Sequence, residues 1–131
     1  PPKVTYHTND GKTRFNPNLY RNGKVCVSIL NTWKGEQWTA CQSIRSVLMT
    51  LLTLFNENPL TNEPGFSSNS PQCLPYKNIV EYMNYRVALC GILNKSWLPD
   101  NFYGFFPIIK KYAIEHQVEI NKKLEMLQNF G

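Results

Sequence analysis

Two tight turns close together in the sequence leave little conformational freedom to residues 14–38. Asn-Pro and Asn-Gly are both strong turn signals, so bends are predicted over residues 16–20 and 21–24. The apolar run that follows them, residues 25–30, is then predicted to be short and extended. This run holds a single cysteine, Cys26, eight positions after the second asparagine of the Asn-Pro-Asn turn.

A cysteine between two valines has two interpretations. Local composition favours a small buried hydrophobe, because cysteine is among the residue types most often found in protein cores. A thiol that follows a rigid turn, instead of lying within a helix, is also well placed to present a reacting group to a large partner. Asn18 has a similar pair of interpretations, as a simple turn former or as a functional side-chain amide.

The order of residues through this segment resembles the active-site segment of ubiquitin-conjugating enzymes, in which a His-Pro-Asn turn precedes the catalytic cysteine. The matching residues are Phe15, Asn16, Pro17, Asn18, Gly23, Lys24, Val25, Cys26, Ser28, Ile29, Leu30 and Trp33. FNPN in place of FHPN, the RNGKVC run and a later NEPGF are most like the Z-type conjugating enzymes. The resemblance is strong over residues 1–66 and weak beyond them.

The resemblance implies an α+β fold of the ubiquitin-conjugating (UBC) type. Residues 1–131 are then expected to be one UBC core domain that lacks its N-terminal part, because the first helix and the first three strands of the fold have no counterpart here. A helical C-terminal extension is expected from about residue 75. The elements predicted are a β-hairpin leading into the active-site segment, then a crossing helix and two further C-terminal helices.

The residue pattern itself is consistent with this order. Residues 3–8 alternate between apolar and polar side chains, and an Asp-Gly turn joins them to an extended stretch at residues 13–15, which is typical of a hairpin. A clear amphipathic helix follows, with Thr39 and Gln42 as its capping box. Its apolar side chains recur at helical spacing and are predicted to be core: Ile44, Val47, Leu48, Leu51, Leu52 and Phe55.

Two further helical stretches are predicted after Pro59, which ends the first helix. One covers residues 76–93, and the other begins near Phe106, with Pro107 tolerated in its first turn. The apolar face of the last helix continues past His116 to Leu127, so His116 is interpreted as a packing side chain.

Composition excludes several classes of protein. At 131 residues with 42% hydrophobic and 18% charged side chains, the chain is globular. The net charge of +5 comes from scattered lysines and arginines, which argues against a nucleic-acid site. The sequence contains no apolar run long enough to predict a membrane span, and no signal peptide is predicted. The cysteine spacing suits neither zinc nor a disulfide framework, so a cytoplasmic or nuclear location is expected.

The resemblance also implies roles for individual residues. Cys26 is expected to carry ubiquitin, or a ubiquitin-like modifier, as a thioester, and Asn18 to stabilise the oxyanion. Supporting roles are expected for five further residues: Asn16, Pro17, Ser28, Trp33 and Asn58. Many family members have acids where this chain has Ser28 and Asn58, and those acids orient the incoming lysine. Glu57 or Glu63 is therefore a candidate for orienting the acceptor lysine.

The expected partners are the modifier, an E1 activating enzyme that spends ATP upstream, an E3 ligase and protein substrates. No metal and no organic cofactor is expected. The alternative function is a catalytically inactive conjugating-like module that binds other proteins. An intact pair of Asn18 and Cys26 argues against that alternative, because inactive members of the family usually lose the cysteine.

Overall fold

The computed structural model describes residues 1–95 and 98–128. The α-helices within these ranges are α1 (Ile44–Leu54), α2 (Cys73–Met83), α3 (Phe106–Glu115) and α4 (Gln117–Gln128). Asn84–Gly91 continues α2 as a π-helix, and 3-10 turns cover Ser28–Leu30, Pro59–Asn62 and Asp100–Phe105. In the described ranges, no helix combines the length and the apolar character that crossing a bilayer requires.

The N-terminal segment is extended chain held by isolated β-bridges instead of a continuous sheet. Val4 and Tyr6 pack against the core, as the alternating pattern predicts. The Tyr6 N–H donates to the carbonyl of Gly23 at 2.8 Å, and Thr5 forms a bridge with Lys24. The segment therefore pairs with the chain just before Cys26, and the predicted hairpin with residues 13–15 is not confirmed.

The apolar run around Cys26 is extended only in its first half. Ser28–Leu30 forms a 3-10 turn, which ends at Asn31 in the left-handed conformation. The prediction of an extended run over residues 25–30 is thus wrong for its second half. The Asn31 N–H donates to the Ser28 carbonyl at 2.8 Å, and this hydrogen bond stabilises the turn against an extended conformation.

The helix predicted from Thr39 begins later, at Ile44. Its N-cap is Ser43, whose hydroxyl accepts the Ser46 N–H, while the Ser46 hydroxyl accepts the Ser43 N–H. This is a complete capping box four residues beyond the one predicted at Thr39. Helix α1 then ends at Leu54, before Pro59, as predicted.

The core is small and lies beneath the cysteine segment. Its buried members are Leu19, Val25, Val27, Ile29, Leu30 and Val47, with Leu51 and Leu54 packed against them. Only one side of α1 contributes to this core. The rest of the predicted apolar stripe is exposed, namely Ile44, Leu48, Leu52 and Phe55. These four positions differ from the prediction because, within the described residues, the core covers a single side of the helix.

The C-terminal region contains more helices than predicted. Helix α3 begins at Phe106 with Pro107 in its first turn, as predicted. The helix is interrupted at His116, and a separate helix, α4, follows it. The His116 ring stacks on Tyr112 at 4.0 Å between centroids, so this histidine packs as expected. Glu81 forms an ion pair with Lys123, which ties α2 to α4.

Gly23 permits the close approach of the N-terminal segment. Its φ of +87° lies in the left-handed region, and a Cβ there would come 2.9 Å from the backbone oxygen of Tyr6. Both the backbone conformation and the contact therefore exclude a larger residue.

We expect Gly23→Ala to lower the free energy of unfolding by about 3 kcal/mol, because strain in the left-handed region and a backbone clash add together. Gly65→Ala is the matched control: Gly65 also has a positive φ, +92°, but nothing lies within 4 Å of its added Cβ. The control should lose only about 1 kcal/mol. Urea unfolding of both variants measures the difference, and equal losses would contradict the role of the Tyr6 contact.

Candidate functional site

The two turns seen in the sequence fold residues 18–26 back on themselves. The Tyr20 N–H donates to the Lys24 carbonyl and the Cys26 N–H donates to the Asn18 carbonyl, both at 2.9 Å. These bonds are two residues apart on each arm, which is antiparallel pairing. Asn18 therefore lies directly opposite Cys26, although eight positions separate them in the sequence.

The Asn18 side chain is held against the cysteine. Its Nδ2 donates to the Cys26 carbonyl oxygen at 2.6 Å, which uses one of the two Nδ2 hydrogens. The backbone N–H of Asn18 is bound by the Asn16 side-chain oxygen at 2.9 Å. The Asn18 Oδ1 is buried and has no hydrogen-bond partner among the described residues. The amide thus keeps one donor and its acceptor unused beside the cysteine.

Asn16 lies beneath the turn and joins it to the end of α1. The residue is 1% exposed, and its Nδ2 donates to the Leu54 carbonyl at 2.8 Å. Asn62 also donates to the Leu54 carbonyl, at 3.0 Å, and reaches the Asn16 Oδ1 at 3.4 Å. One buried amide therefore fixes the turn, the helix end and the loop at Asn62 together.

Thr32 positions the chain on the other side of Cys26, and sequence reasoning missed it. Its hydroxyl accepts the Val27 N–H at 3.0 Å and lies 2.8 Å from the Val25 carbonyl oxygen. Both neighbours of Cys26 are therefore bound to one side chain. A hydroxyl residue just after a turn is common, so the sequence offered no specific signal for this role.

A narrow crevice of about 10 Å³ opens at Cys26. Its lining residues are Pro17, Asn18, Tyr20, Cys26, Trp33, Asn62, Glu63 and Pro64. Cys26 itself is only 3% exposed. The crevice has space for about one water molecule, so a larger group does not fit it in this conformation.

The crevice brings together some of the sequence-predicted residues and not others. Five of them line it: Cys26, Asn18, Pro17, Trp33 and Glu63. Ser28 instead packs against Gly35, and the Asn58 carbonyl caps the turn at Thr61. Glu57 is exposed and does not line the crevice. Of the two candidate glutamates, only Glu63 is next to the cysteine.

Arg14 is the charged side chain that organises the rim of this crevice. Its guanidinium donates to the Pro17 carbonyl at 2.6 Å, lies 3.6 Å from the Glu63 carboxylate and packs 4.5 Å over the Tyr20 ring. Glu63 remains 39% exposed, so this ion pair contributes little to stability. Its effect is to hold the carboxylate at the mouth of the crevice.

Tyr76 connects this rim to α2. Its hydroxyl donates to the Arg14 carbonyl at 2.7 Å. Burial raises the pKa of the Tyr76 phenol, Arg14 opposes that rise and Glu63 adds to it. The phenol therefore remains a hydrogen-bond donor at neutral pH.

The four cysteines are all free. Cys41 and Cys90 are exposed and far from the turn in sequence, while Cys73 is buried with its Sγ 3.2 Å from the Ser67 carbonyl oxygen. Among the residues described, no group of three or more His, Cys, Asp or Glu side chains is arranged to hold a metal ion. Cys26 is the cysteine whose backbone carbonyl binds the Asn18 side chain and that lines the crevice with it.

Comparisons with known proteins find similar sequences. The family model described as "Ubiquitin-conjugating enzyme" matches residues 1–82. The "Ubiquitin-conjugating enzyme E2 Z" of Homo sapiens is 40% identical over 140 residues, which covers 89% of this chain and 37% of the relative. The protein of the same name from Danio rerio is 47% identical over 120 residues, covering 88% of this chain and 36% of the relative.

Another relative matches a shorter part of the chain. The "Probable ubiquitin-conjugating enzyme protein 17" of Caenorhabditis elegans is 48% identical over 71 residues, or 50% of this chain and 10% of the relative. The chain therefore spans a little over a third of the length of the vertebrate relatives that it matches, and much less of this one.

We expect Asn16→Ala to lower the free energy of unfolding by about 3 kcal/mol, since it leaves the Leu54 carbonyl and the Asn18 N–H with fewer partners in a buried place. Asn22→Ala is the matched control, because Asn22 is exposed and accepts a single bond, from the Lys24 N–H at 3.1 Å. That control should lose about 1 kcal/mol or less. Urea unfolding gives both values, and a loss no larger for Asn16→Ala would show that the buried amide does not join the three segments.

Proposed function

The chain belongs to the ubiquitin-conjugating enzyme family, and on that premise we propose that it carries ubiquitin or a ubiquitin-like modifier as a thioester on Cys26. From Cys26 the modifier passes to a lysine or to a ligase. The observation that carries this proposal is the position of Asn18 opposite Cys26, with its amide 2.6 Å from the Cys26 carbonyl oxygen. Acyl transfer through sulfur needs a nucleophile and a nearby hydrogen-bond donor, and both are present.

In the first step, the Cys26 thiolate attacks the carbonyl carbon at the C-terminus of a modifier held by the activating enzyme. A new sulfur–carbon bond forms, the bond to the activating enzyme's sulfur breaks, and that thiolate takes up a proton from solvent. One thioester replaces another of similar energy, so the chain itself needs no cofactor. ATP is spent upstream, where the first thioester is made.

In the second step, an amine attacks the same carbonyl carbon and negative charge develops on its oxygen. The Nδ2 hydrogen of Asn18 that the Cys26 carbonyl leaves unused is available to donate to this oxygen. The tetrahedral intermediate then collapses, the amide bond forms and the Cys26 thiolate leaves. Because Asn16 and Pro17 fix the turn, the donor is in position before the charge develops.

Glu63 is the group we assign to orient and deprotonate the acceptor lysine. It lines the crevice with Cys26, whereas Glu57 does not. The Arg14 guanidinium, 3.6 Å away, holds the carboxylate at the mouth of the crevice. A carboxylate there attracts the lysine ammonium and accepts its proton when the amine attacks.

The remaining parts of the proposal concern the setting of the domain. Its partners are the activating enzyme, a ligase, the modifier and protein substrates, in the cytoplasm or the nucleus. We also propose that residues 3–8 and 13–15 pair as a hairpin. The support for this pairing is the alternating burial of residues 3–8, with Val4 and Tyr6 facing the core.

Incubating the protein with ATP, ubiquitin and each available activating enzyme should give a product heavier by one ubiquitin on a non-reducing gel. The product should disappear on treatment with thiol and be absent from Cys26→Ala, while Cys41→Ala should charge normally because Cys41 lies outside the crevice. No product from a protein shown to be folded would instead favour the inactive binding module.

Glu63→Gln should slow the discharge of charged Cys26 to free lysine about tenfold or more, since a positioned proton acceptor is lost. Glu57→Gln is the control with the same chemical change outside the crevice, and its discharge should match the unmodified protein. Single-turnover discharge on gels measures both rates, and the charging step should be unaffected in either variant. Equal discharge rates for both variants would remove Glu63 from the mechanism.

A further inference from the structure

A second concave surface lies beside the crevice, with a volume of about 610 Å³. It is formed by the turn that begins at Asp10, by Arg21 and by one side of α2 with its π-helical continuation. Four cations line it and come from separate parts of the chain: Lys12, Arg14, Arg21 and Arg86. We call this surface the basic groove.

The positive charge of the basic groove is mostly not neutralised within the described residues. The described residues form three ion pairs: Arg14–Glu63, Lys111–Glu115 and Lys123–Glu81. None of these pairs includes Lys12, Arg21 or Arg86, so these three side chains have no carboxylate partner among the described residues. These three residues are also exposed. Three uncompensated cations around one concavity favour an anionic partner, because the like charges otherwise repel one another.

Asp10 is the one carboxylate lining the groove, and its oxygens are already occupied. Its Oδ1 accepts the N–H groups of Lys12 and Thr13, at 3.0 and 2.7 Å, and its Oδ2 accepts the Thr13 hydroxyl at 3.1 Å. The carboxylate therefore stabilises its own turn, and it forms no ion pair with the arginines of the groove. The groove keeps an excess of positive charge.

The floor of the basic groove is apolar. Ile79, Met83 and Val87 follow one another at a spacing of four residues along α2 and its continuation, and Ile79 is 60% exposed. Burying a hydrocarbon side chain against an apolar floor is favourable because it removes apolar surface from water. A phosphate or another small anion has no such side chain.

Arg14 connects the basic groove to the crevice. It lines the groove, and the same guanidinium contacts Pro17 and Glu63 at the mouth of the crevice. A chain lying in the groove is therefore led towards Cys26. We propose that the basic groove binds an acidic polypeptide segment that carries an apolar side chain, and that it thereby selects proteins with such a segment near the acceptor lysine. The binding of such a segment does not depend on the function proposed above, whereas its use in selecting substrates rests on that function.

The test is fluorescence anisotropy of the protein with a labelled peptide of glutamate and leucine residues, compared with the same peptide carrying glutamine at each glutamate. The acidic peptide should bind and the glutamine peptide should not. Arg21→Glu combined with Arg86→Glu should weaken binding about tenfold or more, since two cations become repulsive. Lys110→Glu combined with Lys122→Glu is the control, with the same change in net charge at exposed positions outside the groove.

Equal weakening by the two double variants would overturn the proposal, because attraction would then depend on net charge and not on the basic groove. Failure of the acidic peptide to bind the unmodified protein would overturn it too. Displacement of the peptide by inorganic phosphate, or binding to phosphatidylserine vesicles that Arg21→Glu with Arg86→Glu abolishes, would assign the groove to another ligand.

Folding and function are separated by two further measurements. Arg21→Gln with Arg86→Gln removes the charges without introducing new ones; it should retain the circular dichroism of the unmodified protein and still weaken binding. Charging of Cys26 should be unchanged in this variant. Peptide binding without charging would contradict the proposed enzyme alone, whereas charging without peptide binding would contradict the groove alone.

Discussion

The side-chain amide of Asn16 connects three separate segments of the chain. It holds the turn before Cys26 through the Asn18 N–H, the end of α1 through the Leu54 carbonyl, and the loop after α1 through Asn62. A buried amide is costly unless its hydrogen bonds are made, so the residue specifies one arrangement of these segments over others. The position of Asn18 beside Cys26, and of Glu63 across the crevice, both depend on that arrangement.

Features fixed by local chemistry could be predicted from the sequence. Asn-Pro-Asn and Asn-Gly each impose a turn within a few residues, so the bends before Cys26 were predicted, whereas the pairing of Asn18 with Cys26 was seen only in the structure. The beginning of α3 at Phe106 and the end of α1 before Pro59 follow from proline in a similar way. The start of α1 was not predicted, because Thr39 with Gln42 matches the usual capping-box sequence, whereas the box that forms uses two serines, Ser43 and Ser46.

Features that depend on distant contacts could not be predicted. Nothing in the sequence distinguishes Glu57 from Glu63, and their difference arises only when the 3-10 turn at Pro59–Asn62 places one of them at the crevice. The break at His116 interrupts an apolar pattern that continues on both sides of it. The exposed side of α1 shows the same limit, since periodicity reports which side chains share a face but not whether another element covers that face.

The burial of Cys26 has a consequence for the lifetime of the protein. Oxidation of a cysteine to its sulfenic acid requires contact between a peroxide and the sulfur, and at 3% exposure that contact is rare. Cys41 and Cys90 are exposed and meet such oxidants first. The packing that buries Cys26 therefore also keeps its thiol reduced for longer than the thiols of Cys41 and Cys90.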